Sequence, residues 1–437
     1  MPNPYLPTWE YIPDGEPRVF NDRVYVYGSH DTAGSDKFCD YKLKVWSASL
    51  DNLNHWTCHG VAFSTRGDGE VAGDTPWADG ELYAPDVVEK DGKYYLYAYV
   101  FYSKGCVAVS DRPEGPFKLI SQYKVPENSV ETLSDGIFVD PGVLVDDDGR
   151  VYIYCGYQSS YMAELNADNM YEIIPESFIP DIVPYEFFEA CSPRKIGSTY
   201  YMIYSPKIGS RLAYAISKSP TGPFEYRGII IDNGIDYPGG NNHGSICNIN
   251  GQWYIFYHRT TNGTVMSRRG CVEQIVILPD GTIPQVEMTS LGFEKSLSPY
   301  EITPAEIACV LKGDAFITEK NTFTRVITNI TSGCIIGYKY FDFGEDFGSK
   351  TMEFSANVIG MGCRSKIRIL LDNYESGEEI GWVYIGSDSG VVRTAVKCIT
   401  GSHAVYFLVE DCYVGDYFST MFKGRQLFEL ISFVFNK

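Results

Sequence analysis

Positive charge is in short supply in this chain: 36 lysines and arginines stand against 56 aspartates and glutamates, for a formal net charge of −20 at pH 7. Nucleic acid and anionic membrane surfaces would be repelled, so neither is expected as a partner and a neutral ligand fits more easily. Long apolar runs are also missing. None approaches the roughly 18 residues needed to span a bilayer, and the opening Met1-Pro2-Asn3-Pro4-Tyr5-Leu6-Pro7 carries neither the basic nor the apolar segment of a secretion signal. The 12 cysteines include no C-x-x-C pair and no Cys/His group at zinc-ligand spacing. Buried, reduced thiols are the expectation, and they suit a cytoplasmic protein. No long amphipathic helical pattern stands out, which leaves an all-β chain.

Aromatic residues, by contrast, are plentiful, with 34 Tyr and 24 Phe, and they recur in a pattern. Arg23-Val24-Tyr25-Val26-Tyr27 follows the turn-like Asn21-Asp22, and four similar strands follow Asp91-Gly92, Asp148-Gly149, Gly197-Ser198 and Asn250-Gly251. With Tyr25, Tyr95, Tyr152, Tyr201 and Tyr254 as markers, the spacings are 70, 57, 49 and 53 residues. A period near that of a four-stranded blade, in five copies, predicts a five-bladed β-propeller over residues 1–298. From Pro299 the repeat gives way to short alternating strands such as Lys366 to Leu371 and Ala404 to Val409, so residues 299–437 are expected to form a separate β-sandwich. Two domains suit the length.

In a propeller the innermost strand of each blade lines a central channel, so one polar residue per repeat at matching phase would converge on a single site. Such a residue exists in every copy. Asp14 lies 11 before its marker tyrosine, Asp86 lies 9 before, Asp140 and Glu189 each lie 12 before, and His243 lies 11 before. Acidic residues beside Gly and Pro commonly cap turns; coincident phase across five repeats argues for more than that. Asp86, inside Ala84-Pro85-Asp86, has the weakest claim and is the one expected to be structural. Carboxylates gathered in one cleft repel each other, and glycoside hydrolysis is a chemistry that uses them: one carboxylic acid protonates the leaving oxygen while a carboxylate activates water or attacks the sugar. Asp146-Asp147-Asp148-Gly149 is not read as a calcium loop, because the later glutamate at the required spacing is missing.

Tyr11-Ile12-Pro13-Asp14-Gly15, Tyr27-Gly28-Ser29-His30-Asp31, Tyr83-Ala84-Pro85-Asp86, Asp140-Pro141-Gly142-Val143, Phe188-Glu189-Ala190 and Asn242-His243-Gly244-Ser245 together resemble glycoside hydrolase family 43. The one departure is at Asp14, followed by Gly where many members have Pro. The resemblance covers about residues 1 to 298 and implies a five-bladed propeller that cleaves xylosides or arabinofuranosides with inversion. It implies Asp14 as general base, Glu189 as general acid, and Asp140 as the group that holds Glu189 and raises its pKa by like-charge repulsion. It further implies Tyr83 and Arg269 as sugar contacts, with Trp77 and Phe38 as weaker candidates for the pocket wall. His243 would lie near a calcium on the propeller axis, reached directly or through water; no organic cofactor is implied. The C-terminal part resembles, more faintly, jelly-roll carbohydrate-binding modules, with Trp382 the aromatic to test, and a packing role is the alternative.

Together these features predict an exo-acting enzyme that removes terminal β-D-xylosyl or α-L-arabinofuranosyl units from short hemicellulose oligosaccharides. Two rivals stand beside that expectation. A fructan-cleaving propeller also uses three carboxylates but retains configuration, and it carries Arg before the middle Asp-Pro, where this chain has Val139. A non-catalytic sugar-binding propeller would need neither acid nor base.

Overall fold

The computed structural model of the chain describes residues 1–437 apart from 69–71, 104, 125–134, 184 and 414–418. It is nearly all β, with one four-residue helix at Ser419–Phe422 and two short 3-10 turns among the described residues. Each aromatic repeat is the second strand of a small antiparallel sheet. The first sheet runs Glu16–Phe20, Arg23–Tyr27, Lys42–Ser49 and Asn52–Ser64. The second, third and fourth sheets begin with Leu82–Lys90, Gly142–Val145 and Phe187–Ile196, and the fifth has the three strands Ser245–Ile249, Gln252–Thr261 and Thr264–Ile275.

Local chemistry explains the hairpins. Tyr, Val and Ile favour a pleated, half-buried surface. The turns between first and second strands carry residues that accept a left-handed backbone, with both Asp91-Gly92 and Asn250-Gly251 at positive φ, as a two-residue hairpin turn matched to strand twist requires. First strands neighbour one another round a common line. Glu16–Phe20 lies against both Leu82–Lys90 and Ser245–Ile249, Leu82–Lys90 against Gly142–Val145, and Gly142–Val145 against Phe187–Ile196. The fifth sheet borrows its outer neighbour from the start of the chain. Asn3 lends its side-chain amide to Val272 as a substitute peptide, accepting from the Val272 N–H at 2.9 Å and donating to its C=O at 2.8 Å.

Buried ion pairs fasten the first strands to each other. Arg18 forks onto Asp86, with Nε to Oδ1 at 2.9 Å and Nη2 to Oδ2 at 2.6 Å, and reaches the Val143 carbonyl at 3.1 Å. Asp86 also accepts the Val143 N–H at 2.7 Å. Arg194 pairs with Glu16 and donates to the Ile246 carbonyl at 3.0 Å. One set of contacts thus links all five sheets.

The remaining strands form two further sheets, ordered Phe316–Asn321, Thr324–Ile330, Phe428–Asn436, Thr351–Gly360, Gly390–Lys397 and Val310–Lys312, Ile335–Asp342, Ser402–Asp411, Ser365–Leu371, Glu379–Ile385. Their inner faces meet through aromatic rings. Tyr338 and Phe407 from one sheet contact Phe433 from the other at centroid separations of 4.7 and 4.9 Å. Burial is continuous from here into the fourth and fifth sheets, because Tyr201, Ile246 and Cys271 belong to the same apolar cluster as Phe354 and Phe435. Trp382 and Tyr384 stand half-exposed on Glu379–Ile385.

Asp86 is therefore a strut. Asp86→Ala leaves the buried Arg18 guanidinium without its fork, and breaking such a pair costs about 3–5 kcal/mol. Urea unfolding should register a loss of that size, and an unchanged midpoint would contradict the assignment.

Candidate active site

The five phase-matched residues all fall where the chain enters the first strand of a sheet. Asp14, Asp140 and His243 sit just before Glu16, Gly142 and Ser245, while Asp86 and Glu189 lie within Leu82–Lys90 and Phe187–Ile196. Asp14 and Asp140 take left-handed backbone conformations, with φ of 56° and 51°. Aspartate tolerates that region better than most residues, and strained backbone of this kind concentrates at functional sites.

Four of the five converge. Asp14, Asp140, Glu189 and His243 line one cavity of about 620 Å³, a volume suited to a small ligand. Tyr83 and Phe38 are in its wall, together with Phe101, Tyr102, Tyr157 and Phe188. The aromatic rings form two banks: Tyr83 stacks on Phe101 at 5.2 Å, and Tyr157 tilts against Phe188 at 5.1 Å. Asp86 is the residue that does not join them, being committed to Arg18.

Charge in the cavity is set by one arginine. Arg268, 1% exposed, places Nη1 2.9 Å from Asp14 Oδ1, and its Nε and Nη2 3.0 and 2.9 Å from the two oxygens of Asp31. Burial alone would raise the Asp14 pKa. The Arg268 charge, helped by His258 and His243, overrides it and holds Asp14 far below the usual carboxylate range. Glu189 goes the other way. Burial first, then the negative charge on Asp14, push it up to about 7 against the opposing pull of Arg268 and a hydrogen bond from Asn241. Asp140 is raised well above its ordinary value by burial and by Glu189, and it accepts a hydrogen bond from the Ala190 N–H. Asp140 and Glu189 repel each other, so each makes ionisation of the other harder, and the charge on Asp14 adds to the repulsion on both. Burial lowers the His243 pKa to about 4, so its imidazole is neutral at pH 7.

Two expected sugar contacts lie elsewhere. Arg269 does not line the cavity; its neighbour Arg268 does. Consecutive strand residues face opposite ways, and Arg269 points behind the sheet, directly across from Arg259 in the register. Trp77 is held by Ser103 Oγ at 2.9 Å and packs on the cluster around Leu82 and Val100. Arg268, Asp31, His258 and Asn241 are additions that the aromatic phase count could not single out. For Arg268 the signal was present only as an Arg-Arg pair whose facing is decided by the sheet.

Direct calcium ligation at His243 does not fit the donors present. Calcium takes six to eight oxygens, whereas His243 offers nitrogen, 3.5 Å from Asp140 Oδ2 and 3.9 Å from Asp14 Oδ1. The Asp14 oxygen already faces the Arg268 guanidinium, which repels a cation. Among the described residues no group of three His, Cys, Asp or Glu is arranged to hold a metal. Asp146 is occupied by Lys195 and by the Tyr200 hydroxyl at 2.7 Å.

The model of the family described as glycosyl hydrolases family 43 matches residues 10–283, which include every cavity residue named above. The chain belongs to glycosyl hydrolase family 43. It is a glycoside hydrolase. A xylosidase/arabinosidase of Thermoclostridium stercorarium is 40% identical, the match covering 78% of this chain and 82% of that protein. A beta-xylosidase of Xylanibacter ruminicola is 30% identical over 65% of this chain and 99% of its own. Among solved structures, an arabinoxylan arabinofuranohydrolase from Bacillus subtilis in complex with cellotetraose is similar over all of this chain and 97% of that one, with a TM-score of 0.56 and 25% identity. A β-xylosidase/α-arabinofuranosidase from a compost metagenome, in complex with xylotriose and in calcium-free form, has a TM-score of 0.55 and 30% identity over 65% of this chain and 96% of its own.

Keeping Glu189 buried has a pH-dependent cost. Its pKa rises from an ordinary 4.5 to about 7 on folding, so the folded state holds the proton more tightly, and stability is lost as pH rises through that interval. Gln cannot ionise. Glu189→Gln should therefore be more stable than the parent above pH 7, by on the order of 3 kcal/mol, with the gap closing below pH 4.5. Thermal unfolding at either end of the range checks this, and no gap on the alkaline side would refute the elevated pKa.

Proposed function

We propose that this protein is an inverting, exo-acting glycoside hydrolase that releases terminal β-D-xylosyl or α-L-arabinofuranosyl units from hemicellulose oligosaccharides, with Asp14 as general base, Glu189 as general acid and Asp140 as the group that positions Glu189. The observation that carries the reading is the opposed protonation of two carboxyl groups in one cavity: Arg268 keeps Asp14 ionised while burial and Asp14 keep Glu189 protonated up to about pH 7. Single displacement needs that pairing. Asp14 takes a proton from water as its oxygen bonds to the anomeric carbon, and Glu189 gives its proton to the departing glycosidic oxygen, so one bond forms, one breaks and configuration inverts. Asp140, bonded to the Ala190 N–H next to Glu189, holds the acid in place.

Xylose and arabinose are chosen because the relatives above carry xylosidase and arabinosidase names. Tyr83 and Phe38 supply apolar faces for the sugar. The ring of neighbouring first strands supports a five-bladed β-propeller for residues 1–298, and the two facing sheets support a β-sandwich for residues 299–437. Any calcium would be held through water from His243, and no step above depends on it. Twelve free cysteines, nine of them buried, favour a reducing compartment, and we place the protein in the cytoplasm.

Asp14→Ala and Glu189→Ala should each lower kcat/KM on a natural disaccharide by about 10²–10⁴-fold with the circular dichroism spectrum unchanged; normal turnover in either contradicts its role. Proton NMR of the first-formed sugar should show the anomer opposite to the substrate's, and the same anomer would favour the retaining, fructan-type rival. Digests of xylan and arabinan oligomers should yield single pentoses from chain ends, so internal fragments would end the exo reading.

A further inference from the structure

Next to Asp31, which holds Arg268, stands a buried histidine with a carboxylate on either side of its ring. His30 Nε2 lies 2.8 Å from Glu10 Oε1, and Nδ1 lies 3.4 Å, an ion-pair separation, from Asp40 Oδ2. The two carboxylates belong to different parts of the cavity. Glu10 opens the segment that runs to Asp14, and Asp40 closes the loop that brings Phe38 and Cys39 into the wall. Phe38 in turn lies against Arg268, whose guanidinium carbon is 5.0 Å from the ring centre. Main-chain bonds meet at the same place: the Asp31 N–H donates to the Tyr11 carbonyl at 3.0 Å, the Asp40 N–H to the His30 carbonyl at 2.6 Å, and the Leu82 N–H to the Asp40 carbonyl at 2.9 Å. His30 thus sits where the segment bearing the proposed base and the aromatic wall are joined.

Two carboxylates on one imidazole select its charge. A neutral ring has one N–H and one lone pair, so whichever nitrogen lacks the proton turns a lone pair on a carboxylate, whereas the imidazolium presents a donor to both. Nδ1 is shut off from water, and no solvent screens that repulsion. Each carboxylate is also held independently of the ring. Glu10 pairs with Lys44 Nζ at 2.9 Å and accepts the Trp46 indole N–H at 3.1 Å. Asp40 pairs with Lys42 Nζ at 3.2 Å, accepts the Thr32 hydroxyl at 3.1 Å and accepts the Tyr41 N–H at 2.7 Å. Burial alone would lower the His30 pKa; Asp40 and Glu10 override it and the opposing charge of Lys44, and the net shift is upward.

We propose that His30 is a positioning residue for sugar binding: charged, it bridges Glu10 and Asp40 and so sets the Phe38 wall against the segment that carries Asp14, and pentoside affinity falls when the bridge loses its proton. The inference rests on the cavity being the pentoside site. His30 does not line that cavity, and it acts on the sugar through Phe38.

Linkage supplies a readout that packing alone would not move. A preference of the sugar for the charged form of about ten-fold requires bound sugar to raise the His30 pKa by about one unit. Glu189→Gln removes both turnover and the titration of Glu189, and is to be combined with xylobiose or arabinobiose, according to which the parent cleaves. In that protein the calorimetric Kd should rise about ten-fold between about pH 5 and pH 9. The His30 ring proton, identified in the NMR spectrum by its loss in His30→Gln, should titrate about one unit higher with the disaccharide bound. Adding His30→Gln should leave the weak, alkaline affinity at every pH. Asp40→Asn keeps the side-chain size and the main-chain bonds, so it guards against a folding defect, and it should lower both the His30 midpoint and the affinity in acid. A Kd step that survives His30→Gln, or a His30 titration that sugar does not move, overturns the inference. If the parent cleaves neither disaccharide, the pentosidase reading itself falls and takes this inference with it.

Discussion

Everything distinctive about the cavity depends on the buried contact between Arg268 and Asp14. The two residues are 254 positions apart, one on the last strand of the fifth sheet and the other just ahead of the first strand of the first. Closing so long a loop costs entropy that is recovered only when both ends are in place. The site therefore exists only once the first and fifth sheets meet, and Asn3 and Tyr5, which bond to Val272 and Gly270 on the strand that carries Arg268, help hold that junction. The arginine is shared. Its other nitrogens are taken by Asp31, so the guanidinium is held in one plane before any ligand arrives, and a pre-set cation does not have to reorganise when charge moves during reaction.

The same burial has opposite consequences for two carboxyl groups because their partners differ. Asp14 faces Arg268, whose charge outweighs desolvation. Among the described residues Glu189 has no ion-pair partner, and it feels the negative charge on Asp14, so desolvation and repulsion act together. Asp140 adds a third carboxyl, its pKa raised well above the ordinary value by burial and by repulsion from Glu189 and Asp14. One arginine thus fixes Asp14 as the anion, and the charge it holds there raises the pKa of both neighbouring acids.

Much of this could be read in the sequence, for a local reason. Asp14, Asp140, Glu189 and His243 each sit at the entry to a first strand, a position fixed by its distance from the aromatic second strand across one hairpin, so counting back along the chain locates them. The count fails for Arg268 because facing on a strand is set by which side of the sheet meets the channel, and Arg268-Arg269 offers both parities. It fails also for Asn241 and His258, whose places at the cavity wall and beside Asp14 come from what lies against them rather than from any spacing. Trp77 failed because an aromatic in a loop can serve as core as readily as wall, and Ser103 decides it here. Asp86 was counted correctly in phase but was drawn to Arg18, since a forked guanidinium is a better partner for a buried carboxylate than an open channel.

Apolar burial runs on across the boundary expected near Pro299, and the strand that carries Arg268 takes part in it. Alternation sends Arg268 toward the cavity and Arg269 toward the segment around Ala305 to Cys309, where Glu306 supplies negative charge and Arg259 donates to the Ala308 carbonyl at 2.8 Å. Two fully buried arginines opposite each other on one ladder would repel, and exposing that face by taking the C-terminal sheets away would also uncover the apolar cluster continuous between the two regions. A register slip of one residue would exchange the two faces, turning Arg269 to the carboxylates and Arg268 to the junction. Packing of the C-terminal sheets behind the fifth sheet therefore acts on the cavity in front of it, by fixing which arginine faces Asp14.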